Sequence, residues 1–331
     1  MEETKEARKL FSALGGRFLL GAIVISALQF AGRMVLLYFA PAIANNANAL
    51  LVLAGVTTDF IGLPLIALLV SRIPAEAIER REIKPGHFVL AAMMCYAVGI
   101  ISNVAGNIIT FIIGLFKGGM VQNEIVNMAD GANMFLALIY MVICAPIMEE
   151  FVFRKLIVDR AVRYGQGVAV VVSGLMFGLF HGNLNQFIYA FTIGMFLAFL
   201  YVKTGNLKIT IGIHMMFNFI SGVVMLWVMR QLNLQEYLKL LTEGTMERLE
   251  AYLIEHMTVW MICLTLELII GCVVIAGIVL FIVALVKRKF SFAPGSVIIP
   301  KGKRFRTVIL NVGMVCYCLV WIAVIIRQLF V

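Results

Sequence analysis

Residues 134–182 read MFLALIYMVICAPIMEEFVFRKLIVDRAVRYGQGVAVVVSGLMFGLFHG. Two apolar runs flank a charged centre that turns at Tyr164-Gly165-Gln166-Gly167. The first run holds an adjacent carboxylate pair, Glu149-Glu150, and the second ends at His181. An apolar run of about 18 residues or more is long enough to cross roughly 30 Å of hydrocarbon. Ionisable side chains inside such a run cost several kcal/mol each, so they are rare and usually functional. This stretch therefore predicts an antiparallel pair of membrane helices with a polar group at depth.

The remainder of the chain has the same character. It is 62% hydrophobic and 14% charged, with mean hydropathy +1.01. A soluble domain is about half apolar and about a quarter charged. Apolar spans fall near 18–40, 48–71, 87–116, 134–154, 167–182, 186–202, 209–229, 257–286 and 307–326. The expected fold is all-α, a polytopic integral membrane protein of about nine transmembrane helices. Its divisions are an N-terminal transmembrane hairpin with its loop (1–86), a membrane core (87–230), an interfacial amphipathic helix (231–256) and C-terminal transmembrane helices (257–331). Leucines at three- and four-residue spacing among the charges of 230–256 carry the amphipathic reading.

The net charge is +9. Basic residues gather at the N-terminus (Lys5, Arg8, Lys9, Arg17) and in every second loop thereafter. Those loops hold Arg72, Arg80, Arg81 and Lys84; Arg154 to Arg163; Lys203 and Lys208; and Lys287 to Arg306. The loops between are neutral or acidic, with Glu124 and Asp130 in one and Glu236 to Glu255 in another. Nine crossings put all the basic segments on one side, and the positive-inside rule makes that side cytoplasmic. The expectation is a multi-pass cell-membrane protein with its N-terminus in the cytoplasm and membrane lipids around it. The positive-inside rule explains this distribution better than a nucleic-acid-binding role, and no nucleic-acid partner is expected. The six cysteines all lie in apolar runs without metal-ligand spacing.

Helical spacing sorts the polar residues. Positions four apart share a face, so Arg154 lies beneath Glu150 and pairs with it, while Glu149 points about 100° away into a cavity. Counting from Gly165, Glu149 and His181 are each about 16 residues from the turn. At 1.5 Å per residue both stand roughly 24 Å from it, at one level of the hairpin. His214 and Asn218, also four apart, share a face of a later span. If all four meet, the expected cavity opens on the side of the basic loops. Arg33 and Asp59, at matching depths of the first two spans, are expected to form a structural ion pair. Glutamate, histidine and asparagine are the groups a water-activating hydrolase is built from: a base near neutral pH and donors for an oxyanion. A low-dielectric cavity tunes a carboxylate towards that work.

Three motifs follow in order on successive spans: EExxxR at 149–154, FxxxH at Phe177 to His181, and HxxxN at 214–218. Over roughly 87–230 the chain resembles the CPBP family, the CAAX proteases and bacteriocin-processing enzymes also called Abi, related to the type II CAAX prenyl endopeptidases. The resemblance implies an intramembrane endopeptidase acting on a peptide or protein substrate. By resemblance Glu149 and His181 activate the water, His214 and Asn218 stabilise the oxyanion, and Glu150 and Arg154 support the site. The same residues allow another chemistry. Glu149, His181 and His214 could hold zinc with a water in the fourth position. The chain has no HExxH, the metal-free reading is preferred, and no cofactor is firmly expected. Two other function classes use the same features. One is a non-enzymatic immunity or scaffold protein of that family. The other is a proton-coupled transporter with Arg33, Asp59, Glu149 and Glu267 as its relay.

Overall fold

A computed structural model describes residues 2–119, 121 and 131–330. Glu124 and Asp130 lie outside the described residues. All regular structure among the described residues is helical. In chain order it comprises α1 (Glu2–Phe39), α2 (Ala47–Ser71), α3 (Pro85–Lys117), α4 (Met134–Tyr164), α5 (Gln166–Phe180), α6 (Leu184–Thr204), α7 (Leu207–Gln231), α8 (Leu234–Glu243), α9 (Met246–Glu255), α10 (Met257–Val286) and α11 (Val312–Leu329). All but α5, α8 and α9 are long and apolar enough to cross a membrane, which makes eight candidate spans. The all-α, multi-pass architecture read from the sequence is borne out.

The apolar helix expected at 167–182 is present as α5, the shortest of the nine apolar helices among the described residues. α5 has 15 residues and rises about 22 Å, well short of roughly 30 Å of hydrocarbon. Gly182, just after it, takes a φ of +67° and lies against the Trp321 ring, in the middle of α11. The α5–α6 connection is therefore sunk inside the bundle. α3 and α11 run on past it and meet where Lys117 Nζ donates to the Leu329 carbonyl (2.8 Å).

At the opposite end the basic loops are knitted together. Glu76 N–H donates to the Asp159 carbonyl (2.7 Å), Arg81 N–H to Thr204 (2.6 Å), Gln166 N–H to Ala293 (3.1 Å) and Val297 N–H to Arg163 (2.8 Å). Four loops distant in sequence thus share one end, as the alternation of charge requires. The tight α4–α5 turn at this end needs φ +112° at Gly165, a conformation open to glycine and strained for other residues.

Several helices start on asparagine caps. The side chains of Asn46, Asn183, Asn206 and Asn311 accept from N–H groups at the starts of α2, α6, α7 and α11. A helix start in or near hydrocarbon leaves orphan donors that water cannot satisfy, and these caps supply partners. Packing relies on small residues where backbones touch. Gly15 of α1 meets Gly313 of α11 so closely that a Cβ on either would strike backbone. Gly174 and Gly178 of α5 meet α6 in the same way. α1 buries Ala7, Phe11, Leu14, Phe18, Ala22 and Ile25, a stripe at three- and four-residue spacing.

Two helices change pitch near prolines. α2 winds as a π-helix over Val56–Gly62, ahead of Pro64, and α4 does so over Leu138–Cys144, ahead of Pro146. Proline cannot donate to the carbonyl four back and clashes with it, so the turn before it widens.

Two expectations are corrected. The amphipathic segment is two helices, broken at Gly244, with Thr245 capping the second. Arg33 does not pair with Asp59: it donates to the Ala44 carbonyl and to the Asn45 side chain in the α1–α2 connection. Asp59 is buried in the π-turn of α2 and has no ion-pair partner among the described residues.

Candidate active site

The site forms where α4, α5 and α7 converge. In α4, Glu149 and Glu150 stand at the junction of an α-helical stretch (Ala145–Glu149) with a second π-turn (Glu150–Leu156). Such π-turns are rare and gather at functional sites. Adjacent positions on a helix diverge, so the two carboxylates take different surroundings. Glu150 is fully buried and forms an ion pair with Arg154, Oε1 to Nη2 at 2.9 Å, with neither side chain exposed. Glu149 keeps a small exposure and lines a cavity.

Arg154 is held from three directions. Glu150 meets its charge, Ser173 Oγ accepts from Nη1 (3.3 Å), and the guanidinium lies 4.5 Å from the centre of the Phe177 ring. Ser173 in turn donates to the Phe153 carbonyl (2.7 Å). These contacts join α4 to α5 and give the buried guanidinium a counter-charge, which is what keeps such a charge tolerable, although Arg154 Nε and Glu150 Oε2 have no hydrogen-bond partner among the described residues.

α7 supplies His214, buried between the two glutamates. Its Nδ1 lies 2.9 Å from Glu150 Oε1 and its Nε2 lies 3.7 Å from Glu149 Oε2. The Arg154–Glu150–His214 chain thus fixes the imidazole and leaves Nε2 at the cavity wall. His181, at the end of α5, has Nδ1 2.9 Å from the Phe177 carbonyl. If Nδ1 carries the proton and donates there, Nε2 is left as a base. Both histidine rings pack nearly perpendicular to the Phe177 ring, with centroids 4.8 Å away for His181 and 5.7 Å for His214. Asn218 donates from Nδ2 to the Met141 carbonyl (2.8 Å), within the widened turn of α4. The second hydrogen on Nδ2 remains for another acceptor.

Glu149, His181, His214 and Asn218 all line one cavity of about 320 Å³. The opposite wall comes from α3 and α6: Asn103, Asn107, Asn185, Gln186 and Tyr189. The cavity does not extend towards the basic loops, as the sequence had suggested. Its other α7 walls, Ser221 to Met229, and its α3 walls run towards the far ends of those helices. The cause is the short α5: its sunken connection leaves room on the far side of His181. The polar wall was missed by motif reasoning. Asn103 and Asn107, four apart in an apolar span, were the signal that could have found it.

The zinc alternative needs Glu149, His181 and His214 to converge on one point. Among the described residues no three His, Cys, Asp or Glu side chains come together as a metal site. His214 Nδ1 and His181 Nδ1 are both engaged within the protein, which leaves Nε2 of each ring as the free nitrogen. The three groups do not converge as a ligand set here, and the chemistry proposed for the site uses no metal.

Comparison with known proteins bears out the resemblance read from the three motifs. Residues 131–220 match the family model described as type II CAAX prenyl endopeptidase Rce1-like. That segment contains all four cavity residues and the Glu150–Arg154 pair. Among curated proteins, the chain is 26% identical over 164 residues to the "Putative membrane peptidase YdiL" of Bacillus subtilis. It is 34% identical over 108 residues to the membrane-embedded CAAX protease MroQ of Staphylococcus aureus. These alignments take in 48% and 30% of this chain, and they span 66% and 41% of the relatives' own lengths. No solved structure matches the chain.

Proposed function

With an Rce1-like segment at 131–220 as the premise, we propose that this multi-pass membrane protein is an intramembrane endopeptidase of CAAX-protease type. It hydrolyses a peptide bond of a peptide or protein substrate by direct attack of water. The carrying observation is the Glu149 carboxylate 3.7 Å from His214 Nε2, at the wall of a cavity shared with His181 and Asn218.

The chemistry follows from the donors and acceptors present. Glu149, with His181 lining the same cavity, takes a proton from water as the oxygen attacks the carbonyl carbon. The carbonyl oxygen becomes an oxyanion and accepts from His214 Nε2–H and from Asn218 Nδ2–H. With Nδ1–H donated to Glu150, donation from Nε2 calls for the imidazolium, and the two carboxylates Glu149 and Glu150 together balance it and Arg154. Glu149 returns the proton to the nitrogen as the tetrahedral species collapses, so that the C–N bond breaks with a neutral amine leaving. Glu150 and Arg154 touch no substrate and serve to position His214. The protein works in the cell membrane with its N-terminus and basic loops in the cytoplasm, following the positive-inside rule. The cavity then lies in the half of the membrane away from the cytoplasm.

The test is peptide hydrolysis by the purified protein in liposomes, beside Glu149→Gln. Cleavage that disappears in the variant supports the assignment. Cleavage equal in both, or absent from both, refutes it.

A further inference from the structure

Asn185 opens the first turn of α6, four residues beyond His181. It is 6% exposed, and its side-chain Oδ1 has no hydrogen-bond partner. Buried amide groups in proteins are almost always paired. Among the described residues this one lines the 320 Å³ cavity opposite Glu149, and it lines a second cavity as well. The second is about 580 Å³ and is bounded by Asn107, Thr110, Phe111, Gly114 and Leu115 of α3. Asn107 also belongs to both cavities, and its Nδ2 donates to Asn103 Oδ1 (2.7 Å). A polar pair, Asn107 and Asn185, thus stands between the catalytic cavity and an apolar one.

A primary amide carries the same acceptor and donor as a peptide group, set side by side in one plane. The group it complements best is another amide. A peptide whose scissile bond sits at Glu149 carries its next linkages out along the cavity. The apolar second cavity suits an aliphatic or aromatic side chain two or three residues away.

We propose that Asn185 is a substrate-positioning residue, its side-chain amide hydrogen-bonding a backbone amide of the substrate beside the scissile bond, with the next apolar side chain seated against Phe111 and Leu115. The inference rests on the endopeptidase reading given above. It adds which part of the substrate is gripped, and by which residue.

The experiment uses the full chain in liposomes and a degenerate octapeptide pool drawn from Ala, Leu, Phe, Ser and Lys. Mass spectrometry locates the cleaved bonds, with Glu149→Gln as the blank. The best-cleaved sequence is then remade with a single ester at each of the three linkages on either side of that bond. An ester removes the N–H and weakens the carbonyl as an acceptor. Wild type is expected to lose about 10-fold in kcat/KM at one linkage, the scale of one hydrogen bond. Asn185→Ala should show that loss already on the all-amide peptide, as a raised KM with kcat nearly kept. It should lose nothing more from the ester at that linkage. Asn185→Leu, closer in size, carries the same comparison if the alanine variant melts early.

Equal ester penalties in wild type and variant at every linkage would overturn the positioning role and leave the peptidase assignment standing. So would an unchanged KM. A pool with no cleavage dependent on Glu149 refutes the peptidase assignment itself, and the role of Asn185 falls with it.

Discussion

His214 Nδ1 lies 2.9 Å from Glu150 Oε1, and this contact joins α7 to α4 inside the bundle. Glu150 is also the ion-pair partner of Arg154. One buried carboxylate therefore neutralises a cation and orients an imidazole, while its neighbour Glu149 stays at the cavity. The divergence of adjacent residues on a helix makes that division possible. Two glutamates side by side in sequence take up two different tasks.

Glu149→Gln tests the base. The substitution keeps size and polarity but cannot take a proton from water. Turnover by the purified protein is expected to fall about 100-fold or more, the usual scale of general-base catalysis. The melting temperature in detergent should stay near that of wild type, because Glu149 holds no ion pair with Arg154. A folded Glu149→Gln protein that turns over normally would remove Glu149 from the mechanism.

Glu150→Ala should behave differently. It leaves Arg154 buried without its carboxylate and frees His214 Nδ1. Breaking one side of a buried pair costs roughly 3–5 kcal/mol, so a large drop in melting temperature or in yield should accompany lost activity. Replacing both members, Glu150→Met with Arg154→Met, should recover part of the stability without the activity, since no orphan charge remains. A Glu150→Ala protein as stable as wild type yet inactive would make Glu150 the catalytic group instead.

Much of this was legible in the sequence, for identifiable reasons. Runs of apolar residues announce helices because nothing else satisfies backbone groups in lipid. The spacing of Glu150 and Arg154 stated their contact, since an i, i+4 pair on a helix can scarcely avoid meeting. The hairpin count from Gly165 placed Glu149 and His181 near one level. What the count could not show was the depth at which the α5–α6 connection lies. Length along a helix is readable from sequence, but the depth at which a chain turns is set by its neighbours, here by Trp321 against Gly182. That depth decides which way the cavity runs. The Arg33–Asp59 pairing failed for a similar reason: matching depth does not fix the facing of side chains, and Arg33 found carbonyl and amide partners in the nearby turn.

The metal-free assignment has its own test. Elemental analysis of the purified protein should find zinc well below one equivalent, and dialysis against a chelator should leave Glu149-dependent cleavage unchanged. Stoichiometric zinc, lost together with activity on chelation and restored with it, would establish zinc chemistry. It would also mean that Glu149, His181 and His214 draw closer than they stand here.

The orientation of the chain decides from which half of the membrane a substrate reaches the site. The basic loops share one end, as the Arg81–Thr204 and Val297–Arg163 backbone bonds show. The positive-inside rule assigns that end to the cytoplasm. Ser291 lies exposed in the loop following α10, at the basic end, and Thr242 lies exposed near the end of α8. Single cysteines at these two sites, in a background cleared of the six native cysteines, report the sides directly. With an impermeant maleimide on intact cells, the Thr242→Cys protein should label and the Ser291→Cys protein should not until the membrane is opened. The same reagent can then test the cavity. A cysteine at Met229, on the far end of α7 and in the cavity wall, should label from outside, and more slowly when peptide is present. Labelling of Ser291→Cys alone in intact cells would invert the topology and turn the cavity towards the cytoplasm. Labelling of both loop sites would break the alternation of crossings on which the whole arrangement rests.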